Sequence, residues 1–140
     1  LYGLDAITKG VDSTDDTKDG TELAKKMANK WQAVMAITGS VDIITDGKRL
    51  CQIENGHPLL TRITGTGCMC SSLVAAFCGV SEDLYEASIL GVLSMGLAGE
   101  FAYENLKDKE GQGAFKSKLF DFISLMDKEI LEKRAKINEI

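Results

Sequence analysis

The stretch ITGTGCMCSS, residues 63–72, places two glycines directly before small and apolar residues that can form a helix. Glycine at the start of a helix permits positive φ and lets a ligand approach the backbone closely. The unpaired N–H groups of the first turn, together with the helix dipole, favour a bound anion. We therefore expect a phosphate-binding turn of an α/β enzyme, with a plain tight turn as the alternative.

Cys68 falls in the first turn of this predicted helix. The dipole and the free N–H groups there stabilise a thiolate, so this side chain is a candidate proton acceptor. The alternative is a small buried residue, because free cysteine is among the most buried residue types. The glycine pattern matches neither the dinucleotide fingerprint nor the Walker motif. No pair of cysteines or histidines stands at zinc spacing, so the sequence predicts no metal ligand.

The rest of the composition narrows the class of protein. A net charge of -5 with interspersed acids and bases excludes the basic surface that nucleic acids or anionic membranes require. The longest apolar run, residues 87–98, is shorter than the roughly 20 residues of a membrane span. With no signal peptide at the start, we expect a cytoplasmic protein with reduced cysteines. His57 precedes Pro58, and we interpret it as a loop-shaping residue rather than a catalytic base.

Hydrophobic patterns predict an α/β domain. An apolar run at 33–39 is typical of a central strand covered on both faces, and the strand–helix–strand order before it predicts a parallel sheet. Asp46-Gly47 between two alternating runs predicts an antiparallel hairpin. The remaining predicted elements are a strand at 4–10 and helices at 21–31, 68–79, 84–107 and 115–135.

Four segments together resemble the hydroxyethylthiazole kinase family: KGVDS (9–13), AITGSVDIITDG (36–47), GHPLLTRITGTGCMCSSLVAAF (56–77) and GQGAF (111–115). They occur in the family's order and spacing and cover nearly the whole chain. The resemblance implies a ribokinase-like three-layer α/β fold, with a mostly parallel central sheet and helices on both faces. It also implies ATP-dependent phosphorylation of the primary alcohol of 4-methyl-5-(2-hydroxyethyl)thiazole in thiamine biosynthesis or salvage.

The resemblance also implies roles for individual residues. Cys68 matches the position at which other ribokinase-like enzymes have a catalytic Asp. Gly65, Thr66 and Gly67 would line the substrate and the transferring phosphate, and Thr38 with Gly39 would contact the nucleotide. ATP and Mg²⁺ are implied, as is a homotrimer.

The resemblance implies that about half of the family's length lies before the position of Leu1, including the residues that contact the thiazole and the metal and an Arg that contacts the nucleotide. We therefore expect residues 1–140 to be the carboxyl-terminal nucleotide- and phosphate-binding part of a single ribokinase-like domain, inactive alone. The alternatives are a noncatalytic nucleotide- or phosphate-binding module and another ribokinase-like small-molecule kinase. A thiol redox protein using Cys68 and Cys70 is disfavoured, because no CxxC motif is present.

Overall fold

The structure, a computed structural model, describes the backbone of residues 8–9, 12–13 and 17–140 and the side chains of residues 20–140. Strand β1 (Thr8–Lys9) pairs with β2 (Asp12–Ser13) in a short antiparallel hairpin. The strand predicted at 4–10 therefore lies mostly outside the described residues.

Four strands form the main sheet of the described chain, in the order β3–β4–β5–β6. Each neighbouring pair is antiparallel. Their bounds are Met35–Ile37 (β3), Asp42–Thr45 (β4), Leu50–Ile53 (β5) and Ile137–Glu139 (β6). The mostly parallel central sheet that we expected is therefore wrong for these four strands, whereas the parallel pairing predicted between residues 4–10 and 33–39 lies outside the described residues. A connection of only four residues joins β3 to β4, and so short a connection can join only antiparallel neighbours.

The predicted central strand at 33–39 is also shorter than expected and lies at one end of this strand order. Its middle residue, Ala36, is exposed, whereas β4 is buried along its whole length. The strand covered on both faces is thus β4, which has the apolar pair Ile43 and Ile44 at its centre and buried polar residues, Asp42 and Thr45, at its ends. The hairpin predicted at Asp46-Gly47 is confirmed, since it joins β4 to β5.

Helices cover the two faces of the sheet. Helix α1 (Thr17–Trp31) packs on β3 and β4, where Ala24 contacts the cluster that contains Ile43. Ile44 points to the opposite face and belongs to the larger core, which includes most of α3 (Leu84–Glu104). Successive residues of a strand point to opposite faces, so Ile43 and Ile44 divide the core between these two helices.

The other helices surround α3. Helix α2 (Thr66–Cys78) lies against it so closely that a Cβ on Gly91 would stand 2.6 Å from Val74 Cα. The helix predicted at 115–135 is in fact two helices, α4 (Gln112–Ser124) and α5 (Lys128–Arg134). The second begins afresh because the Asp127 carboxylate accepts a hydrogen bond from Ile130 N and caps it.

Strand β6 was not predicted, and a buried carboxylate attaches the segment before it to the core. Glu100 of α3 accepts hydrogen bonds from Lys136 Nζ (3.0 Å), Gly56 N (3.0 Å) and Asn55 Nδ2 (3.2 Å). Burial raises the pKa of Glu100, but these three donors outweigh that effect and lower it below its ordinary value. Asn55 Oδ1 also accepts from Lys136 N at 2.7 Å, so the segment leading into β6 is fixed from two sides.

Candidate functional site

Gly65 begins helix α2 in the left-handed conformation, with φ of 98°. No side chain caps the helix there, and apart from the adjoining residues and the backbone of the helix itself no described atom lies within 4 Å of the place that a Cβ on Gly65 or Gly67 would take. Both glycines are exposed. The first-turn N–H groups of a helix have no intrahelical acceptor, so this helix start can receive an anion.

Thr66 lies between the two glycines, and its side-chain hydroxyl is hydrogen-bonded within the chain. Its hydroxyl lies 3.1 Å from the Leu60 carbonyl oxygen and 3.2 Å from that of Ile63. The first of these carbonyls belongs to the 3₁₀ helix Pro58–Arg62, so the hydroxyl attaches α2 to that helix. The Thr66 side chain therefore shapes the turn, and its backbone is the part that faces a ligand.

The cysteines of α2 have different surroundings. Cys68 is exposed, whereas Cys70, two residues further on, is 8 % exposed and belongs to the core. Burial raises the pKa of the Cys70 thiol to about 11, and the charge of Asp42 adds to that effect. The interpretation of Cys68 as a small buried residue is therefore wrong, and that interpretation fits Cys70 instead.

Thr38 and Gly39 lie in the turn between β3 and β4, and both are exposed. Gly39 N donates a hydrogen bond of 2.9 Å to Asp42 Oδ1, at the first residue of β4. The Asp42 side chain is buried, and burial raises its pKa to about 6, although the Gly39 N–H works against that shift. Asp42 thus fixes the turn in which the two predicted nucleotide-contacting residues lie.

Asp42 connects the two predicted parts of the site. Its carboxylate bonds to the β3–β4 turn, and its charge acts on Cys70 in the second turn of α2. Asp42 is thus hydrogen-bonded to the turn at 38–41 and is near enough to α2 for its charge to act on Cys70. Our sequence reasoning missed Asp42; the available signal was a carboxylate at the start of an otherwise apolar strand.

His57 has a structural role, as its position before Pro58 predicted. Its Nδ1 accepts a hydrogen bond from Leu59 N at 3.2 Å and caps the 3₁₀ helix. Its ring stacks on Tyr103, with 3.8 Å between ring centroids. Both contacts fix the loop that leads to the glycine turn.

Two other features, a cluster of metal ligands and a membrane-spanning helix, do not occur in the part of the chain that the structure describes. No group of three or more His, Cys, Asp or Glu side chains stands together as metal ligands within it. None of its helices combines the length and apolar character that crossing a membrane demands. Among the described side chains Asp42 therefore does not belong to such a group of metal ligands.

The same fold occurs in the solved structure of the hydroxyethylthiazole kinase protein of Pyrococcus horikoshii OT3. The TM-score is 0.81 at 33% sequence identity, over 88% of this chain and 47% of that chain. The described elements therefore form part of a ribokinase-like α/β protein, which confirms the fold class that the resemblance implied.

Sequence comparison gives the family. The pattern of the hydroxyethylthiazole kinase family matches residues 1–129, and the chain belongs to this family. It is 47% identical to the hydroxyethylthiazole kinases of Alkaliphilus oremlandii, over 100% of this chain and 52% of the relative, and of Desulfitobacterium hafniense, over 98% and 51%. The chain thus spans about half the length of the curated relatives it matches.

Proposed function

We propose that the full-length protein carrying these residues transfers the γ-phosphate of ATP to the primary alcohol of 4-methyl-5-(2-hydroxyethyl)thiazole, as a cytoplasmic enzyme of thiamine biosynthesis or salvage. The observation that carries this proposal is the exposed Cys68 thiol, in the first turn of α2 and directly after the open, uncapped glycine turn. Membership of the family supplies the reaction and the substrate class.

In this reaction Cys68 accepts the proton of the substrate hydroxyl. The hydroxyl oxygen attacks the γ-phosphorus and forms the new P–O bond, while the bond from that phosphorus to the bridging oxygen breaks. The bridging oxygen keeps the electron pair and leaves with ADP. Backbone N–H groups at Gly65, Thr66 and Gly67 are suited to balance the charge that gathers on the transferring phosphoryl oxygens.

The nucleotide would lie at the other part of the site, against Thr38 and Gly39. Residues 1–140 would then act as the carboxyl-terminal nucleotide- and phosphate-binding part of a single domain. The carboxylates of residues 20–140 do not form a cluster suited to Mg²⁺, so no step is assigned to that ion and no residue of this chain is assigned as its ligand. A homotrimer is the expected assembly, and size-exclusion chromatography with light scattering gives the molar mass that tests it.

The test uses the full-length protein with MgATP and the thiazole alcohol, and follows the phosphorylated thiazole by mass spectrometry together with ADP. One ADP per phosphorylated thiazole is expected. Residues 1–140 expressed alone serve as a control and should give no useful turnover. Nucleotide binding without transfer would favour the noncatalytic module, and a strong preference for another small alcohol would favour a different ribokinase-like kinase.

A further inference from the structure

Asp42 is a buried acidic side chain that the reaction above does not use. It is 9 % exposed, at the first residue of a strand that is buried along its whole length. The hydrogen bond that the structure gives its carboxylate comes from Gly39 N. In α2 the charge of Asp42 acts on the buried Cys70 thiol and helps to raise the pKa of that thiol.

This position is costly for the fold. A buried carboxylate loses its hydration, and one hydrogen bond from a backbone N–H compensates only part of the free energy that this costs. Burial accordingly raises the pKa of Asp42 to about 6. A β-branched apolar residue would suit the first position of so buried a strand better. Residues that destabilise the folded state in this way are expected mainly at binding or catalytic sites.

We propose that Asp42 is a positioning residue for nucleotide binding: its buried carboxylate holds the Gly39 backbone, and thereby sets how the turn at 38–41 meets the nucleotide. The inference rests on the proposed function. It assigns Asp42 no contact with the reacting atoms. Its effect passes through Gly39, whose N–H it accepts, and Thr38, which that turn carries.

The test compares two substitutions in the full-length protein. Asp42→Val suits a buried strand and is of similar size but removes the acceptor, so KM for ATP and Kd for ADP should rise about tenfold. The value of kcat at saturating ATP and KM for the thiazole should stay within about twofold. Asp42→Asn keeps an oxygen that can accept the Gly39 N–H, so it should restore nucleotide binding to within about threefold of the parent.

Thr45→Val is the matched control, because Thr45 ends the same strand and its hydroxyl fixes the turn at the opposite end. It should lower stability and leave nucleotide binding unchanged. The inference is overturned if folded Asp42→Val binds ADP like the parent, or if Asp42→Asn is as weak as Asp42→Val. ADP titration by calorimetry keeps the two proposals separate: a parent that binds ADP but transfers no phosphate would refute only the proposed function.

Discussion

The two ends of strand β4 carry turns of opposite character. At the hairpin end the chain satisfies its own polar groups: the Thr45 hydroxyl donates to Arg49 O at 2.6 Å and accepts from Gly47 N at 3.0 Å. Asp46 accepts hydrogen bonds from Lys48 N and Arg49 N as well as from the Arg49 guanidinium. Partial burial raises the pKa of Asp46, but these bonds outweigh it and lower the pKa to about 2.

At the opposite end the polar groups remain open. The glycine turn before α2 is open as well: it has no side-chain cap, and apart from its chain neighbours no described atom lies within 4 Å of a Cβ placed on Gly65. Asp42 fixes the turn at 38–41 from inside the protein and leaves Thr38 and Gly39 exposed. The difference shows that polar groups already paired within the chain leave little for a ligand, whereas exposed and fixed backbone groups can bind one.

The largest expected effect tests whether the open end holds the base. In the full-length protein, Cys68→Ala should lower kcat by roughly 10²-fold or more, as loss of a general base does. Cys68→Asp should keep substantial activity, and its acidic pH limb should move down, because carboxylates titrate at lower pH than thiols. Steady-state kinetics across pH measure both.

Cys78→Ala, at the far end of the same helix, is the control and should behave like the parent. If Cys68→Ala is fully active and Cys68→Asp misfolds, Cys68 is a packing residue and the catalytic assignment is wrong.

The second prediction compares the positive-φ glycines of the two ends. Gly65→Val should lower kcat/KM by about 10- to 100-fold, because valine disfavours a φ of 98° and shifts the helix start. Gly47→Val should instead reduce stability by about 1–3 kcal/mol, since φ is 94° there. A Cβ would also stand 2.6 Å from Asn29 Oδ1.

Melting curves and kinetics of both variants separate the two losses. Unchanged kinetics in folded Gly65→Val would remove Gly65 from the site, and a large kinetic loss in Gly47→Val would abolish the contrast between the ends.

A third, smaller effect concerns the pH dependence of stability. Burial raises the pKa of Asp42 from 3.8 to about 6, so the folded state holds this proton more tightly than the unfolded state. The free energy of unfolding should therefore fall as pH rises from about 4 to about 6. Asp42→Asn should lack that fall and exceed the parent by about 1–3 kcal/mol at pH ~7.

Denaturant unfolding of parent and variant between pH ~4 and ~8 measures the difference. Parallel curves across this range would show that Asp42 is not buried as described.

The smallest effect is expected from Arg49, which links the hairpin end to α3. Its guanidinium bonds to Asp46 and Asp83 and lies 4.2 Å from the Tyr85 ring centroid. The arginine side chain is about half exposed, so Arg49→Met should lower the melting temperature less than Gly47→Val does. Kinetics should not change. The difference in melting temperature between the parent and Arg49→Met should be smaller at roughly 1 M salt than at low salt. A difference that does not change with salt would mean that the packing of Arg49 on Tyr85 dominates.

Local signals were sufficient to predict part of this molecule. The hairpin at Asp46-Gly47 and the helices near 68–79 and 84–107 follow from turn residues and apolar runs that need no distant partner. The positive φ at Gly65 follows from the same kind of local signal, whereas the sequence left open whether Cys68 is exposed or buried. The resemblance to the family was confirmed by comparison.

Two of the errors depend on long-range contacts. The antiparallel pairing of β3 with β4 does not, because the gap of only four residues between them is a local signal that the prediction of a parallel sheet overlooked. Strand β6 is exposed along its length, and the segment leading into it is held by Glu100, far away in sequence. Asp42 resembles any polar residue at a strand start until tertiary packing buries it.

The uneven exposure of the thiols makes them a graded set of sites for chemical labelling. An alkylating reagent at neutral pH should meet the exposed Cys68 first. Cys51 and Cys70 are buried, and burial raises the pKa of each to about 11, so they should be alkylated only when the core opens. Labelling rates at these thiols would thus measure two properties in one sample, the accessibility of the glycine turn and the rate at which the core opens.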